Sequence, residues 1–367
     1  MESTQPRLVD APKPADHRLN IWKPLRVSKE IIDCEIQRLA ELSATEESQR
    51  AAVIVHPSAT LPGLGFAPGI DVTINVLKPG EQTAPVRRNS NQIEFCIYGS
   101  GEVHVGGNGA DPAYLEPRDV CTIPSMQRYW HRNNGQALWV WLSYSNAPLL
   151  EKLGIHFVDA SPSVSEKSVA TGDSGYNRGT SPDILLTQAG ARMRGYEFLT
   201  DIKVIENRPL HWPWRLVSDH VTQRPGDGKR GIMLLYNPAT GRRNGTTHSF
   251  FATISSTPEG APPRQAGRGH RHGSVAINYH FQGSGWSKVD GETIEWRAGD
   301  LLLSGPSWSE HAHYIGPQGA QILTVQDHPL HIGMESLIWQ ERLDGPILTL
   351  GSEKGQTGYV GPRIVGA

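Results

Sequence analysis

The chain has 367 residues, a formal net charge of −2 and 37% hydrophobic residues, a length that suits two domains sharing an interface. Charge of both signs is mixed along the chain and no apolar run reaches membrane-spanning length, which argues against nucleic acid or a membrane as a partner. Its three cysteines cannot all pair, and its N-terminus lacks the basic and apolar regions of a signal peptide, so we expect a cytoplasmic protein.

The first predicted element is a helix over residues 28–43. Ser28 is a residue type that caps helix N-termini. The apolar stripe of this helix consists of Ile32, Ile36, Leu39 and Leu42. We assign residues 1–55 to an N-terminal helical arm.

An irregular inter-domain segment is predicted over residues 151–245. Residues 161–181 are rich in Ser, Gly and charged residues, a composition typical of a linker or a mobile loop. Residues 182–245 contain Trp212 and Trp214, and we expect this part to pack between the two domains.

β-structure is predicted clearly after residue 245. The run Val275–Phe281 is rich in β-branched and aromatic residues, and Asp290-Gly291 is a strong hairpin signal. The run Arg297–Asp300 predicts the next turn, and Leu301–Leu303 begins another strand. This part of the chain therefore reads as antiparallel strands.

An internal duplication organises the whole chain. Three landmarks recur about 180 residues apart: Thr73–Glu81 with Thr253–Gly260, Gly99-Ser100-Gly101 with Gly283-Ser284-Gly285, and Pro117-Arg118-Asp119 with Ala298-Gly299-Asp300. So steady an offset indicates two copies of one domain, over residues 56–150 and 246–350, followed by a C-terminal tail over 351–367. Short strands separated by Gly, Pro and Asn turns predict an all-β barrel or jelly roll for each copy.

Histidines cluster in the second copy. His270 and His272 are two residues apart, so they share one face of a strand. His311 follows about 40 residues later, beyond a hairpin, and could close a metal site between neighbouring strands. Zinc, iron, copper and nickel all suit three imidazoles, so ligand type alone leaves the metal open.

The motifs of the second copy resemble those of the cupin superfamily, and most closely its gentisate and salicylate dioxygenase branch. The resemblance rests on Gly269–His272, Gly283–Gly285 and Gly299–His313, about 45 residues in all. The glutamate ligand of the general cupin site would fall near Ala276 and is absent, which leaves the three-histidine site of this branch. The resemblance implies two cupin (double-stranded β-helix) domains and Fe(II) held by His270, His272 and His311.

The first copy lacks the histidine motif. With the Gly-x-Gly as anchor, Val86-Arg87-Arg88 stands where the second copy has His270-Arg271-His272. Glu94 and His131 remain, but a single carboxylate and one histidine are a poor site, because a transition metal needs about three protein ligands. We therefore expect the first cupin to be metal-free and structural.

Pocket residues of the second copy follow from strand alternation and from the family. Asn278 and His280 fall on the face of His270 and His272, so both are candidate pocket walls, whereas Arg271 faces away. In the family, the histidine that corresponds to His313 is next to the metal ligands, which fits a proton-transfer role. His280 is the reserve for that role. Trp308 either lines the pocket or packs in the core.

The substrate is less well defined by the sequence. In this branch an arginine on the metal strand grips the carboxylate of an aromatic acid, and here that position is Asn278. An amide cannot form the bidentate ion pair of a guanidinium. Either Arg264 or Arg268 supplies the charge, with Arg268 the candidate we choose, or the substrate is an uncharged diol such as a hydroquinone.

The predicted function is that of an Fe(II)-dependent ring-cleaving dioxygenase, which inserts O2 into a small hydroxylated aromatic compound resembling gentisate, salicylate or hydroquinone. We expect a homo-oligomer, a tetramer being one form it could take. Two alternatives remain: a cupin oxygenase or isomerase acting on a non-aromatic substrate such as a diketone, and a non-catalytic bicupin that serves binding or storage.

Overall fold

The fold of the chain is mostly antiparallel β-structure in two similar barrels. The computed structural model describes residues 10–11, 19, 21–43, 50–106, 111–160, 184–193, 209–222, 231–261 and 269–349. The predicted loop at 161–181 and the candidates Arg264 and Arg268 lie outside these residues. None of the described helices is both long and apolar enough to span a bilayer.

The N-terminal arm contains strand β1 (Leu25–Val27) and helix α1 (Lys29–Glu41). The predicted helix is confirmed, and the Ser28 side chain accepts a hydrogen bond from the backbone N–H of Ile31. Ile32 and Leu39 are buried. The expectation for Leu42 is wrong: because α1 ends at Glu41, Leu42 lies beyond the helix and is exposed.

The first barrel is built from nine strands, followed by helix α2 (Ala147–Lys152). The strands are β2 (Ala51–Ile54), β3 (Asp71–Leu77), β4 (Arg87–Arg88), β5 (Gln92–Tyr98), β6 (Gly101–Val105), β7 (Ala113–Leu115), β8 (Val120–Ile123), β9 (Tyr129–Arg132) and β10 (Trp139–Ser145). The larger sheet has the order β8-β5-β10-β3-β2, and a smaller one the order β7-β6-β9.

The inter-domain segment is more regular than expected. Its described elements are β11 (Val158–Asp159), β12 (Ile184–Leu185), β13 (Arg192–Met193), β14 (His211–Trp212), helix α3 (Trp214–Thr222), β15 (Gly231–Leu234) and a 3-10 helix (Pro238–Arg243). β11 pairs with β4 of the first barrel, and β12 and β13 form a hairpin.

The second barrel repeats the first. Its elements are β16 (Phe251–Thr257), β17 (Arg271–His272), β18 (Ala276–Val289), β19 (Glu292–Arg297), β20 (Leu301–Gly305), β21 (His311–Gln326), helix α4 (His328–Gly333), β22 (Ile338–Gln340) and β23 (Leu348–Thr349). The larger sheet has the order β20-β18-β21-β16-β15, with β19 on β18, and β17-β22-β23 form a small one. The predicted turn at Asp290-Gly291 joins β18 to β19.

The duplication is visible in the pairing of the strands. β5 lies between β8 and β10 in the first barrel, and β18 lies between β20 and β21 in the second. Gly99, directly after β5, and Gly283, within β18, have positive φ values of 68° and 81°. A Cβ at either position would collide with a backbone carbonyl of the neighbouring strand, at Leu138 and Gly319 respectively. The same backbone requirement therefore explains both copies of the Gly-Ser-Gly landmark.

The arm and the inter-domain segment link the two barrels. β1 pairs with β20 of the second barrel, while α1 packs against β3 of the first. Conversely, β14 pairs with β8 of the first barrel, while α3 packs against β15 and β16. Each sheet also begins before the expected domain boundary, since β2 precedes residue 56 and β15 precedes residue 246. The packing expected for Trp212 and Trp214 agrees with this, because both contact the shared core.

One apolar core fills the space between the barrels. It joins Val72 and Phe95 of the first barrel to Ile277 and Leu301 of the second. Phe95 meets Tyr279 with a ring-centroid distance of 5.5 Å. Because Ile277 and Tyr279 point into this shared core, the alternate residues of β18 point into the interior of the second barrel, as the alternation predicts.

Candidate metal centre

Three histidines converge in the second barrel. One ligand atom from each of His270, His272 and His311 lies within 4.8 Å of the others. The ring centroids of His270 and His311 are 4.6 Å apart, and those of His272 and His311 4.8 Å apart. His272 and His311 are buried, and His270 is half-buried. The three histidines that spacing and the family resemblance singled out are therefore brought together.

Backbone hydrogen bonds hold these three residues in place. His270 and His311 form an isolated antiparallel bridge, with N–H to C=O bonds of 3.2 and 2.9 Å. His272 follows on β17, opposite Trp339 of β22. The turn before His311 contains Ser307 at a positive φ of 69°, and the Ser307 hydroxyl donates to the carbonyl of Gly273 at 3.2 Å. A strained turn fixed in this way is often found at functional sites.

The tautomers of two of the rings suit a metal. Nδ1 of His272 lies 2.9 Å from the carbonyl oxygen of Ser274, and Nδ1 of His311 lies 2.9 Å from that of Ser309. A carbonyl oxygen can only accept, so both Nδ1 atoms carry the proton and both Nε2 atoms present a lone pair. Burial, followed by the neighbouring histidines, lowers the pKa of His272 well below its usual value, which favours the neutral ring that a metal requires. The donor set therefore fits a transition metal.

A fourth histidine supports the cluster, and sequence reasoning missed it. His328 begins α4 and is buried, with its ring centroid 5.1 Å from that of His272. The Ser274 hydroxyl lies 2.9 Å from Nδ1 of His272 and 2.6 Å from Nδ1 of His328. Because His272 Nδ1 donates, the Ser274 hydroxyl can donate its own hydrogen bond to Nδ1 of His328. Such outer contacts orient metal ligands and are costly to lose. Adjacency of His328 to Pro329 gave no signal of this contact.

His313 lies beside the cluster and is part of a hydrogen-bonded chain. Its ring centroid is 5.8 Å from that of His311. The indole N–H of Trp296 donates to the Ser287 hydroxyl at 3.1 Å, and that hydroxyl lies 2.8 Å from Nδ1 of His313. Trp296 can only donate, so the Ser287 proton is available to Nδ1 of His313. When Ser287 donates to Nδ1, the proton of the neutral His313 ring resides on Nε2.

The other two predicted pocket residues lie deeper in the barrel. Asn278 is buried, its amide nitrogen donates to the Ser304 hydroxyl at 2.9 Å, and its Oδ1 has no hydrogen-bond partner. His280 stacks on Trp296 at 4.0 Å, and burial lowers its pKa to about 4. His311 lies close to Gly305, which pairs with Ala276 across β20 and β18. Each residue of a strand adds about 3.3 Å, and along β18 Asn278 is closer to Ala276 than His280 is. Asn278 is therefore the nearer of these two pocket residues to the metal ligands.

Trp308 is buried and carries the guanidinium of Arg271 over its ring, 4.7 Å from the centroid. Nε of Arg271 also donates to Gln340 at 2.7 Å. Both observations agree with the expectation that Arg271 faces away from the metal ligands. They tie Trp308 to the packing around β17.

The first barrel has no such cluster among its described residues. The bridge of His270 with His311 has its counterpart in a bridge of Val86 with Tyr129. The ligand positions are thus taken by Val86, Arg88 and Tyr129. His131, expected as a remnant ligand, occupies the position of His313 instead. It lies 2.9 Å from a carboxylate oxygen of the buried Glu94.

Comparison with known proteins places the fold and the site in a family context. No family model matches the chain. It is 26% identical over 310 residues to 1-hydroxy-2-naphthoate 1,2-dioxygenase of Nocardioides sp. (strain KP7), which covers 83% of the chain and 73% of that protein. It is 25% identical over 327 residues to a gentisate 1,2-dioxygenase of Haloferax sp., covering 84% and 83% respectively. The chain is related to the cupin ring-cleaving dioxygenases.

Solved structures agree on the fold of this family. Salicylate 1,2-dioxygenase from Pseudaminobacter salicylatoxidans superposes with a TM-score of 0.68, over 89% of the chain and 90% of that structure, at 15% identity. The predicted all-β double-cupin fold and the resemblance to the gentisate and salicylate dioxygenase branch are confirmed, and the relatives named above are 1,2-dioxygenases of aromatic compounds.

Proposed function

We propose that the protein is an Fe(II)-dependent dioxygenase that inserts both atoms of O2 into a hydroxylated aromatic ring and opens it. The observation that carries this proposal is the cluster of His270, His272 and His311 within 4.8 Å in a chain related to 1,2-dioxygenases. Iron is our choice among the metals that imidazoles bind, and it rests on the family. A cytoplasmic location and a homo-oligomer stay predictions.

The protein would hold the metal through Nε2 of His272 and His311 together with His270. When bound, Fe(II) would supply open positions for substrate oxygens and O2 and transfer electrons between them. The protein's own part is to hold ring and oxygen side by side and to exclude water. The buried His272 and its contact with Ser274 would keep the metal ligands in a fixed orientation.

His313 is the residue we propose to move a proton. When its Nδ1 accepts from the Ser287 hydroxyl, Nε2 carries the proton of the neutral ring. It is half-buried and adjacent to His311, so an oxygen bound near the cluster is within its reach. His280, by contrast, has a pKa lowered to about 4 and lies against Trp296, which makes it the weaker candidate for an acid.

The substrate class we propose is an aromatic acid with a hydroxyl beside its carboxylate. Two relatives are named for substrates with this arrangement, 1-hydroxy-2-naphthoate and gentisate. Asn278 would then contact the substrate by accepting a hydrogen bond at its partnerless Oδ1. Arg268 stays the candidate for the cation that would pair with the carboxylate.

The test is anaerobic reconstitution of the chain with Fe(II), followed by O2 uptake with 1-hydroxy-2-naphthoate, gentisate, salicylate, hydroquinone and a β-diketone. We expect uptake of one O2 per ring opened with at least one of the hydroxy acids, and none in His272→Ala. His104→Ala is the control, since His104 stacks on Trp130 in the first barrel. The proposal would be overturned if the diketone alone supported O2 uptake, or if none of the compounds did.

A further inference from the structure

A cavity of about 270 Å³ lies inside the first barrel, away from the histidine cluster. Its wall is polar and aromatic, with lining residues that include Arg88, Gln92, Glu94, Tyr129, His131 and Trp141. Pockets for drug-sized ligands are roughly 300–1,000 Å³, so this volume suits a molecule about the size of one substituted ring. The cavity is therefore large enough to bind something more than a single water.

A guanidinium occupies the position of a metal ligand in this barrel. Val86 and Tyr129 form the bridge that corresponds to His270 and His311, and Arg88 follows Val86 as His272 follows His270. In the second barrel this position holds His272, which would help to bind a metal cation. In the first barrel the same position holds Arg88, which is itself a permanent cation. A guanidinium pairs with oxyanions, so the substitution reverses the kind of group that this position can bind.

Several of the residues that line the cavity each have one buried polar atom without a hydrogen-bond partner. These atoms include Arg88 Nε, Trp141 Nε1, His131 Nδ1 and Asp71 Oδ1. An unmade hydrogen bond at a buried group costs about 1–3 kcal/mol, so several around one cavity indicate that water or a ligand makes them. Both Arg88 Nε and Trp141 Nε1 are donors, which calls for an acceptor on the occupant.

Arg88 is the one guanidinium among the residues that line the cavity, which also include the carboxyls of Asp71, Glu94 and Glu151. Glu94 is paired with His131 at 2.9 Å, and Glu151 lies 3.4 Å from His156. Arg88 makes only a long contact of 3.4 Å with Gln92 and no ion pair with any described residue. Burial raises the pKa of the Asp71 carboxyl to about 7, and the charge of Arg88 opposes this rise.

From these observations we propose that the first cupin is a metal-free binding site for a small organic carboxylate. The guanidinium of Arg88 pairs with the carboxylate, Trp141 Nε1 donates to the same or an adjacent oxygen, and the faces of Tyr129 and Trp141 enclose the apolar part. The site lies in the other barrel from the metal cluster, so it does not rest on the proposed reaction.

The experiment is calorimetric titration of the full-length chain with benzoate, with benzamide as an uncharged ligand of the same shape. We use His272→Ala as the background, so that the metal cluster contributes little to the signal. We expect one benzoate per chain and binding of benzamide at least tenfold weaker, since a charge-assisted hydrogen bond is lost. Equal binding of both compounds, or none, would overturn the proposal and would leave the cavity a water-filled one.

A second pair of variants locates the site. Arg88→Gln should weaken benzoate binding about 10- to 100-fold. Arg87→Gln is the matched control, because Arg87 lies on the other face of β4, pairs with Asp159 at 2.7 Å and does not line the cavity. Circular dichroism and thermal melting verify that both variants fold. Full benzoate affinity in a folded Arg88→Gln variant would contradict the site, whatever the activity of the second barrel.

Discussion

Asp300 accepts a hydrogen bond at 2.8 Å from the backbone N–H of Lys29, although 271 residues separate them in the sequence. The same carboxylate pairs with Arg26 and accepts from the backbone of Arg297. In the other half of the molecule, Asp119 accepts from the backbone N–H of Trp214 at 2.6 Å. Asp119 and Asp300, which end the two duplicated landmark turns, therefore each cap the first residue of a helix. In each case the helix belongs to the segment that precedes the other barrel.

The first prediction concerns this contact. Asp300→Ala should lower the free energy of unfolding by about 3 kcal/mol, because it leaves two backbone donors and Arg26 without their buried acceptor. Asp290→Ala is the control, since Asp290 is exposed and accepts only from the backbone of Glu310. Chemical denaturation monitored by fluorescence measures both. Equal losses in the two variants would mean that the cap contributes little.

The second prediction concerns the support of the metal ligands. Ser274→Ala should weaken metal binding roughly 10- to 100-fold, because the Ser274 hydroxyl links His272 to His328. Ser309→Ala should leave affinity near that of the wild type, since Ser309 contacts His311 through its backbone carbonyl and its hydroxyl has no partner. Competition with a chromogenic chelator gives both affinities. The same affinity in both variants would show that the Ser274 hydroxyl does not position His272.

Local patterns predicted one part of this site and not another. The period of two in β18 correctly directed Asn278 and His280 inward, because alternation depends only on the strand itself. The contact of His328 with Ser274 depends on where α4 packs, which no local pattern contains. The counterpart of His311 in the first barrel was hard to locate for a related reason: loops of unequal length shift the offset by about two residues between β5 and β9. His131 was therefore taken as a possible remnant ligand, when Tyr129 holds that position.

The third prediction concerns pH. Burial raises the pKa of Asp71 to about 7 from 3.8, so the folded state holds a proton that the unfolded state releases between these values. The contribution of Asp71 to the free energy of unfolding is fully present below pH 4 and is lost as the pH rises through 7, by up to about 4 kcal/mol. Asp71→Asn should remove this loss, which unfolding at pH 5 and pH 8 measures. The prediction would be contradicted if the free energy of unfolding of Asp71→Asn changed between pH 5 and pH 8 as much as that of the wild type.

The fourth prediction concerns His313. His313→Ala should retain bound metal and reduce kcat by roughly 10²- to 10⁴-fold, the usual effect of losing a positioned acid or base. Ser287→Ala should produce a smaller loss and shift the pH profile of kcat, because Ser287 fixes the tautomer of His313. Ser284→Ala, on the same strand, is the control. A normal kcat and pH profile in His313→Ala would make it a packing residue, and His280→Ala would then be tested.

The last prediction concerns Asn278 and the charge of the substrate. Asn278→Arg places a guanidinium in the buried interior of the second barrel, where Asn278 now bonds Ser304. If the substrate carries a carboxylate, the new ion pair should tighten binding by about 1.5–3 kcal/mol. If it is an uncharged diol, an unpaired buried cation should weaken binding by a similar amount or more. The binding of 1-hydroxy-2-naphthoate and of uncharged 1-naphthol, each followed by its effect on O2 uptake, separates these outcomes. Asn278→Ala controls for loss of the amide, and no change in either variant would show that Asn278 does not reach the ring.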